Sequence, residues 1–94
     1  MIEKKHVDGK NKGEILIYAL STCGWCRKAK NILKQLGIAY DYIDVDLLSD
    51  EKSTKIENEE VKKWNPACTY PTIVINNQRS INKFNEDKIR ELGQ

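Results

Sequence analysis

Residues 14–26 read Glu-Ile-Leu-Ile-Tyr-Ala-Leu-Ser-Thr-Cys-Gly-Trp-Cys, and this stretch decides the fold. Its first seven residues form a nearly continuous apolar run, typical of a strand buried on both faces of a sheet flanked by helices. From Cys23 the period changes, because Cys26, Ala29 and Leu33 recur at the three- and four-residue offsets of one helical stripe. The two cysteines are therefore predicted at the junction between a buried strand and a helix.

The rest of the chain predicts a second strand, a hairpin and two more helices. Residues 38–46 are rich in aromatic and β-branched residues and predict a strand near a sheet edge, parallel to the first. A largely solvated helix is expected between 47 and 70. The run 72–75, the turn residues Asn76-Asn77 and a strand near 79–82 predict a hairpin. With Asn85 capping a last helix, the order is β-α-β-α-β-β-α, an α/β fold with a four-stranded mixed sheet flanked by three helices.

Two expectations concern the middle helix. Thr54 and Glu57 fit a capping box, which would place the helix N-terminus at Thr54. The acidic residues Glu57, Glu59 and Glu60, with lysines around them, predict a helix face in water.

Size and charge limit the classes of function. At 94 residues the chain is expected to form one domain, 1–94, in which polar residues 1–13 are a tail or a short edge strand. A formal net charge of +2 and the lack of a basic stripe argue against partners such as nucleic acid or a membrane surface. No stretch resembles a secretory signal or a membrane span, so a cytoplasmic location is expected.

The predicted junction makes the two cysteines unequal. Cys23 would occupy the helix cap, where free backbone N–H groups and the helix dipole favour a thiolate over a thiol. Cys26 would be the third helical residue, at the start of the buried stripe. Arg27 and Lys28 add positive charge nearby, and Arg27 is close enough to steer an anionic thiol substrate. The hypothesis is a dithiol cycle in which Cys23 attacks a disulfide and Cys26 resolves the mixed disulfide.

The residues between the cysteines, and the third cysteine, have several interpretations. Gly24 would keep the turn open and let a partner approach the backbone, while Trp25 would form an exposed rim or cover the pair. A structural thiol pair or half of a zinc site is the alternative, but a zinc site needs four ligands and only Cys68 and His6 remain. Cys68 is interpreted as a small buried residue, a third redox thiol or a cluster ligand.

The motif Cys23-Gly24-Trp25-Cys26 after a buried strand, with Tyr70-Pro71-Thr72 opening a later strand, resembles the glutaredoxin branch of the thioredoxin superfamily over residues 14–94. The resemblance implies a thioredoxin-like fold and a thiol–disulfide oxidoreductase. It also implies that Pro71 is a cis-proline beside the redox pair. The backbone of Tyr70 would then pair with a bound peptide or glutathione.

The resemblance also bears on cofactors and partners. No cofactor beyond the protein's own thiols is required. The substrate would be a disulfide-containing protein or a small thiol, and the protein a monomer. Some relatives with glycine at the position of Gly24 can hold an iron–sulfur cluster between two subunits, so the alternative function is a cluster carrier using Cys23 and a thiol co-ligand.

The resemblance leaves the electron donor open. Glutaredoxins that use glutathione carry a Gly-Gly pair and an acidic residue before the last helix, whereas residues 81–86 read Ile-Asn-Lys-Phe-Asn-Glu. Glutathione, another low-molecular-weight thiol and a thioredoxin reductase are all compatible with a small dithiol protein.

Overall fold

The computed structural model describes residues 4–47 and 51–93, and within them a five-stranded mixed sheet lies between helices. In chain order the elements are β1 Lys5–Val7, β2 Ile15–Ala19, α1 Gly24–Gln35, β3 Tyr40–Asp44, a 3-10 turn Val45–Leu47, α2 Glu51–Trp64, β4 Thr72–Ile75, β5 Arg79–Asn82 and α3 Glu86–Glu91. The strand order across the sheet is β1-β3-β2-β4-β5. Strands β2 and β3 pair in parallel, and every other neighbouring pair is antiparallel. In the described residues no helix combines the length and the apolar character that a membrane crossing requires.

Alternation along β2 divides the core between the two faces of the sheet. Ile15, Ile17 and Ala19 belong to a cluster that includes Leu33 of α1 and Ile89 of α3. Tyr18 belongs to a second cluster, together with residues of β3, β4 and α2. Because successive side chains of a strand point to opposite faces, helices α1 and α3 cover one face and α2 covers the other. The apolar run before the cysteines is therefore buried on both faces, as predicted.

The sheet has one strand more than the four predicted. Residues Lys5–Val7 form β1, which pairs antiparallel with β3 and makes it an inner strand. Of the two expectations for residues 1–13, the edge strand is therefore correct for the described part; residues 1–3 lie outside it. Gly9 lets the following segment approach closely, because a Cβ there would lie 2.5 Å from the carbonyl carbon of Ile38.

Several local predictions are confirmed. Helix α1 begins at Gly24, so Cys26 is its third residue, and it ends before Gly37, which has a positive φ of 70°. Asn76 and Asn77 both have φ of 53°, the left-handed conformation that a two-residue hairpin turn requires. The Asn85 side chain accepts a hydrogen bond from the backbone N–H of Lys88 and caps α3.

The predictions for the middle helix are wrong in two respects. Helix α2 starts at Glu51, so Thr54 lies inside the helix instead of capping it. The Thr54 hydroxyl donates instead to the carbonyl of Val45 at 3.5 Å. Glu57, expected on a face in water, is 2% exposed. Burial raises the pKa of its carboxyl, and the nearby charge of Glu60 raises it further.

Candidate functional site

Cys23 is the N-cap residue of α1, in extended conformation with φ −87° and ψ 113°. Its sulfur accepts a hydrogen bond from the backbone N–H of Cys26 at 3.2 Å. Its own N–H donates to the carbonyl of Leu20, and its carbonyl accepts from the N–H of Arg27, both at 3.1 Å. The Cys23 sulfur therefore takes the place of a capping oxygen at the N-terminus of α1, where the positive end of the helix dipole lies.

Cys26 has the opposite environment. It is fully buried, in the cluster between the sheet and α1. Burial raises the pKa of the Cys26 thiol to about 12, and a side-chain hydrogen bond with Cys23 acts in the same direction. The positive charge of Lys30, one turn further along α1, partly opposes this shift. The pair is thus one half-buried sulfur at the helix end and one enclosed sulfur that keeps its proton at neutral pH.

A carboxylate holds the segment that precedes Cys23. The backbone N–H of Ser21 donates to Asp46 Oδ1 at 2.8 Å, and the Ser21 hydroxyl donates to Asp46 Oδ2 at 2.6 Å. These hydrogen bonds lower the pKa of the Asp46 carboxyl. The loop between β2 and α1 is therefore tied to the 3-10 turn that follows β3.

The peptide bond between Tyr70 and Pro71 is cis, as the family resemblance implied. Pro71 is buried, and Tyr70 packs against the core clusters on both faces of the sheet. The Tyr70 hydroxyl donates to Asn58 Oδ1 at 2.7 Å. Burial raises the pKa of Tyr70, and the neighbouring thiols of Cys68 and Cys26 contribute to the same direction. The Tyr70 ring therefore lies near the cysteine pair.

The loop that carries Tyr70 and Pro71 is fixed by a buried amide. Asn65 Nδ2 donates to the hydroxyl of Thr69 at 2.7 Å and to that of Thr72 at 3.1 Å. The Thr72 hydroxyl in turn donates to the carbonyl of Thr69 at 2.7 Å. This network spans the loop, so the residues beside the redox pair are held by side chains on both sides of them.

A groove opens next to Trp25, with a volume of about 330 Å³. It is lined by Trp25, Thr69, Tyr70, Lys83 and Phe84. The rings of Trp25 and Phe84 lie 5.0 Å apart between centroids, tilted by 34°. The groove thus connects the cysteine motif, the residue before the cis-proline and the segment before α3.

The structure brings most of the sequence-predicted site residues to one end of the sheet. Gly24 is exposed, and a Cβ there would meet no atom within 4 Å, so the helix end is open to an approaching molecule. Trp25 is 56% exposed and forms a rim instead of covering the pair. Arg27 is exposed. Steering of an anionic substrate by Arg27 stays a prediction.

Sequence reasoning missed two elements of the site, Lys83 and Asp46. Lys83 was not identified as a lining residue, although its place between the hairpin and the last helix was a usable signal. Asp46 gave no signal, because its partner Ser21 lies 25 positions away. Cys68, packed against the cluster on the α2 side with φ of 51°, is neither exposed nor fully buried.

Side chains that could ligate a metal do not cluster in the described part of the chain. No group of three or more His, Cys, Asp or Glu residues is found there. A cluster held through Cys23 would therefore need its other ligands from a second subunit or from added thiols.

Comparison with known proteins gives consistent results. A family model described as Glutaredoxin matches residues 15–80. An uncharacterized glutaredoxin-like 8.6 kDa protein of Clostridium pasteurianum is 35% identical over 79 residues, which is 82% of this chain and 97% of that protein. Glutaredoxin 1 of Rickettsia prowazekii is 36% identical over 63 residues, 67% of this chain, but the match spans only 62% of that relative.

Solved structures also match. The glutaredoxin of Methanosarcina mazei Go1 superposes with a TM-score of 0.88 and 42% identity, over 97% of this chain and 88% of that one. Methanoredoxin of Methanosarcina acetivorans gives a TM-score of 0.85 and 39% identity, over 89% of this chain and 87% of that one. Both similarities extend beyond the cysteine motif to nearly the whole sheet and its helices.

Proposed function

The chain belongs to the glutaredoxin family, and from that premise we propose that it reduces disulfides by a dithiol cycle in which Cys23 attacks and Cys26 resolves. Thiol–disulfide oxidoreductase chemistry is that of the family. The observation that carries the proposed roles is the 3.2 Å hydrogen bond from the Cys26 N–H to the Cys23 sulfur at the helix N-terminus. It places the more accessible cysteine at the positive end of the helix dipole, where the nucleophile of such a cycle is expected.

The cycle has two steps. In the first, the Cys23 thiolate attacks one sulfur of the substrate disulfide, the S–S bond breaks, and the released thiolate takes up a proton. In the second, Cys26 loses its proton and attacks the Cys23 sulfur, which releases the second substrate thiol and leaves a Cys23–Cys26 disulfide. The substrate has gained two electrons and two protons, and the protein has lost them.

Burial of Cys26 supports this division of roles. A fully enclosed thiol with a raised pKa does not compete with Cys23 for the substrate. It lies one helical turn from Cys23, the spacing at which a resolving thiol attacks the mixed disulfide. A low-molecular-weight thiol or a thiol reductase would then reduce the oxidised pair.

Cysteine replacement tests the proposal. Cys23→Ser is expected to abolish reduction of a model disulfide, whereas Cys26→Ser is expected to accumulate a mixed disulfide that mass spectrometry detects at Cys23. Cys68→Ser is the matched control and should retain turnover. Full activity of the Cys23→Ser protein would refute the assignment of the nucleophile.

Three further measurements address the expectations about electron donor, cofactor and oligomeric state. Oxidised protein is offered glutathione, another small thiol and thioredoxin reductase separately, and the regained thiols are counted by mass. Anaerobic reconstitution with iron and sulfide, followed by a visible absorption spectrum, tests the cluster alternative. Size-exclusion chromatography tests the expected monomer.

A further inference from the structure

The groove beside Trp25 has walls made largely of aromatic rings. Trp25 and Phe84 form one side through their 5.0 Å contact, and Tyr70 contributes another ring. Its volume of about 330 Å³ lies at the lower end of the range for small-ligand pockets. Such a groove is expected to bind an apolar side chain best, because burial of its carbon surface against the aromatic rings stabilises the complex.

Most of the charged side chains placed near this groove are positive, and the exception is Asp46, whose negative charge acts on Tyr70. Among the described residues, Lys83 is the one charged residue that lines the groove. Lys28 places its ammonium 5.0 Å from the centroid of the Trp25 ring, and Arg27 is exposed on the same turn of α1. The rim therefore favours a carboxylate over an ammonium group.

The backbone at the edge of the groove is available for pairing. Among the described residues, neither the N–H nor the carbonyl of Tyr70 forms a hydrogen bond with another group. The hydroxyl, by contrast, is engaged by Asn58. An extended segment laid beside Tyr70 satisfies both backbone groups, in the manner of strand addition at a sheet edge.

On the basis of the proposed function, we propose that the groove binds a polypeptide segment of a partner protein whose disulfide-bonded cysteine is flanked by an apolar side chain and a carboxylate. The apolar side chain lies between Phe84, Trp25 and Tyr70. The carboxylate faces Lys83. Glutathione meets the charge requirement but carries no apolar side chain, so it leaves the aromatic walls exposed.

Symmetric peptide disulfides test this substrate class without any added reductant. Three peptides, each joined to itself through its cysteine, carry the sequences Glu-Phe-Cys-Phe-Glu, Glu-Ser-Cys-Ser-Glu and Lys-Phe-Cys-Phe-Lys; oxidised glutathione is the fourth substrate. Fully reduced protein reacts with each in a single turnover, and the second-order rate constant is measured. Each value is divided by the rate constant for the reaction of dithiothreitol with the same disulfide, which removes differences in intrinsic disulfide reactivity.

The expected order of rates follows from the groove. The wild-type protein should react with the Phe-Glu peptide roughly tenfold faster than with the Ser-Glu peptide, because a filled apolar site discriminates by about that factor. It should react with the Phe-Glu peptide roughly threefold faster than with the Phe-Lys peptide. This factor is small because an exposed pair of opposite charges contributes little to binding. Equal rates on the three peptides, or the highest rate on oxidised glutathione, would overturn the proposal.

Two variants assign the preferences to residues. Phe84→Ala should remove the preference for the Phe peptide over the Ser peptide, while Lys83→Glu should reverse the preference between the Glu and Lys peptides. Leu36→Ala, half-buried at the far end of α1, and Lys34→Glu, exposed there, are the matched controls and should change neither ratio. If Phe84→Ala slows all peptides by the same factor, Phe84 is structural and the groove assignment is wrong.

This outcome is separable from failure of the proposed function. If Cys23→Ser still reacts with the peptides, the dithiol cycle itself is refuted. If Cys23→Ser is inactive but the wild-type protein reacts with the three peptides at equal rates, the dithiol cycle stands and only the substrate class is wrong.

Discussion

The Ser21 hydroxyl donates a 2.6 Å hydrogen bond to the Asp46 carboxylate, which ties the approach to Cys23 to the end of the neighbouring parallel strand. The second oxygen of the same carboxylate accepts the Ser21 backbone N–H at 2.8 Å. Two contacts to one side chain fix both the position and the direction of the residue two places before the nucleophile. Asp46 is thus a positioning residue for the candidate site.

Asp46→Asn is expected to lower the free energy of unfolding by about 0.5–1 kcal/mol at pH 7, a modest loss because water screens an exposed carboxylate. The pKa of Asp46 is lowered below its ordinary 3.8 in the folded state. Its contribution is therefore present above pH 3.8 and lost as the pH falls through the folded value. Urea unfolding at pH 7 and pH 3 checks this, because the difference in stability between wild type and variant should be smaller at pH 3. Asp87→Asn, an exposed carboxyl in α3, is the control.

Glu57→Gln is expected to raise the free energy of unfolding at pH 7, by on the order of 1 kcal/mol. Burial raises the pKa of Glu57 above its ordinary 4.5, so the charged form is disfavoured in the folded state. Stability is then complete below pH 4.5 and falls as the pH rises through the folded value. Chemical denaturation of both proteins at pH 4 and pH 7 should show a higher free energy of unfolding for the variant than for the wild type only at pH 7. Glu59→Gln, on the exposed side of the same helix, should show no such pH dependence.

The two cysteines are expected to differ in their rates of alkylation. At pH 7, iodoacetamide should modify Cys23 first, with the products located by peptide mass. In the Cys23→Ser protein the rate at Cys26 should keep rising from pH 7 to pH 10, because burial, the largest cause of the raised pKa of this thiol, remains in the variant. A rate at Cys26 that levels off near pH 8 would contradict the effect of burial.

Gly24→Pro is expected to stabilise the fold by roughly 0.5–1 kcal/mol, because proline restricts the unfolded chain at no native cost here. Gly24 is the first residue of α1, a position that proline favours, and its added atoms meet nothing within 4 Å at the Cβ position. Cys23, with ψ of 113°, already has the extended conformation that precedes proline. Thermal unfolding measures the change, and a lowered midpoint would show that the glycine is needed for its conformation.

Local signals in the sequence were sufficient wherever one residue or one short run decides the backbone. The apolar run before Cys23 predicted the buried β2, and the change of period predicted α1 and the third-residue position of Cys26. Asn76-Asn77 predicted the turn between β4 and β5, because few other residues accept a positive φ twice in succession.

Features that depend on distant residues were not predictable in this way. The Ser21–Asp46 contact and the pairing of β1 with β3 join segments that no local pattern connects. Glu57 follows the composition of a solvated helix face, yet it is buried because α2 lies against the sheet with that side inward. The capping box predicted at Thr54 is wrong because the helix begins one turn earlier, at Glu51.

The hydrogen bond from the Cys26 amide to the Cys23 sulfur also has an electrochemical consequence. In the proposed cycle this hydrogen bond exists in full only in the reduced protein. Because it stabilises the reduced cysteine pair, it makes the Cys23–Cys26 couple more oxidising. A contribution of about 1 kcal/mol corresponds to about 20 mV in reduction potential. Its donor is a backbone group, whereas the walls of the groove are side chains. Substitutions at Lys83 or Phe84 can therefore redirect the protein to other substrates while its potential stays nearly constant.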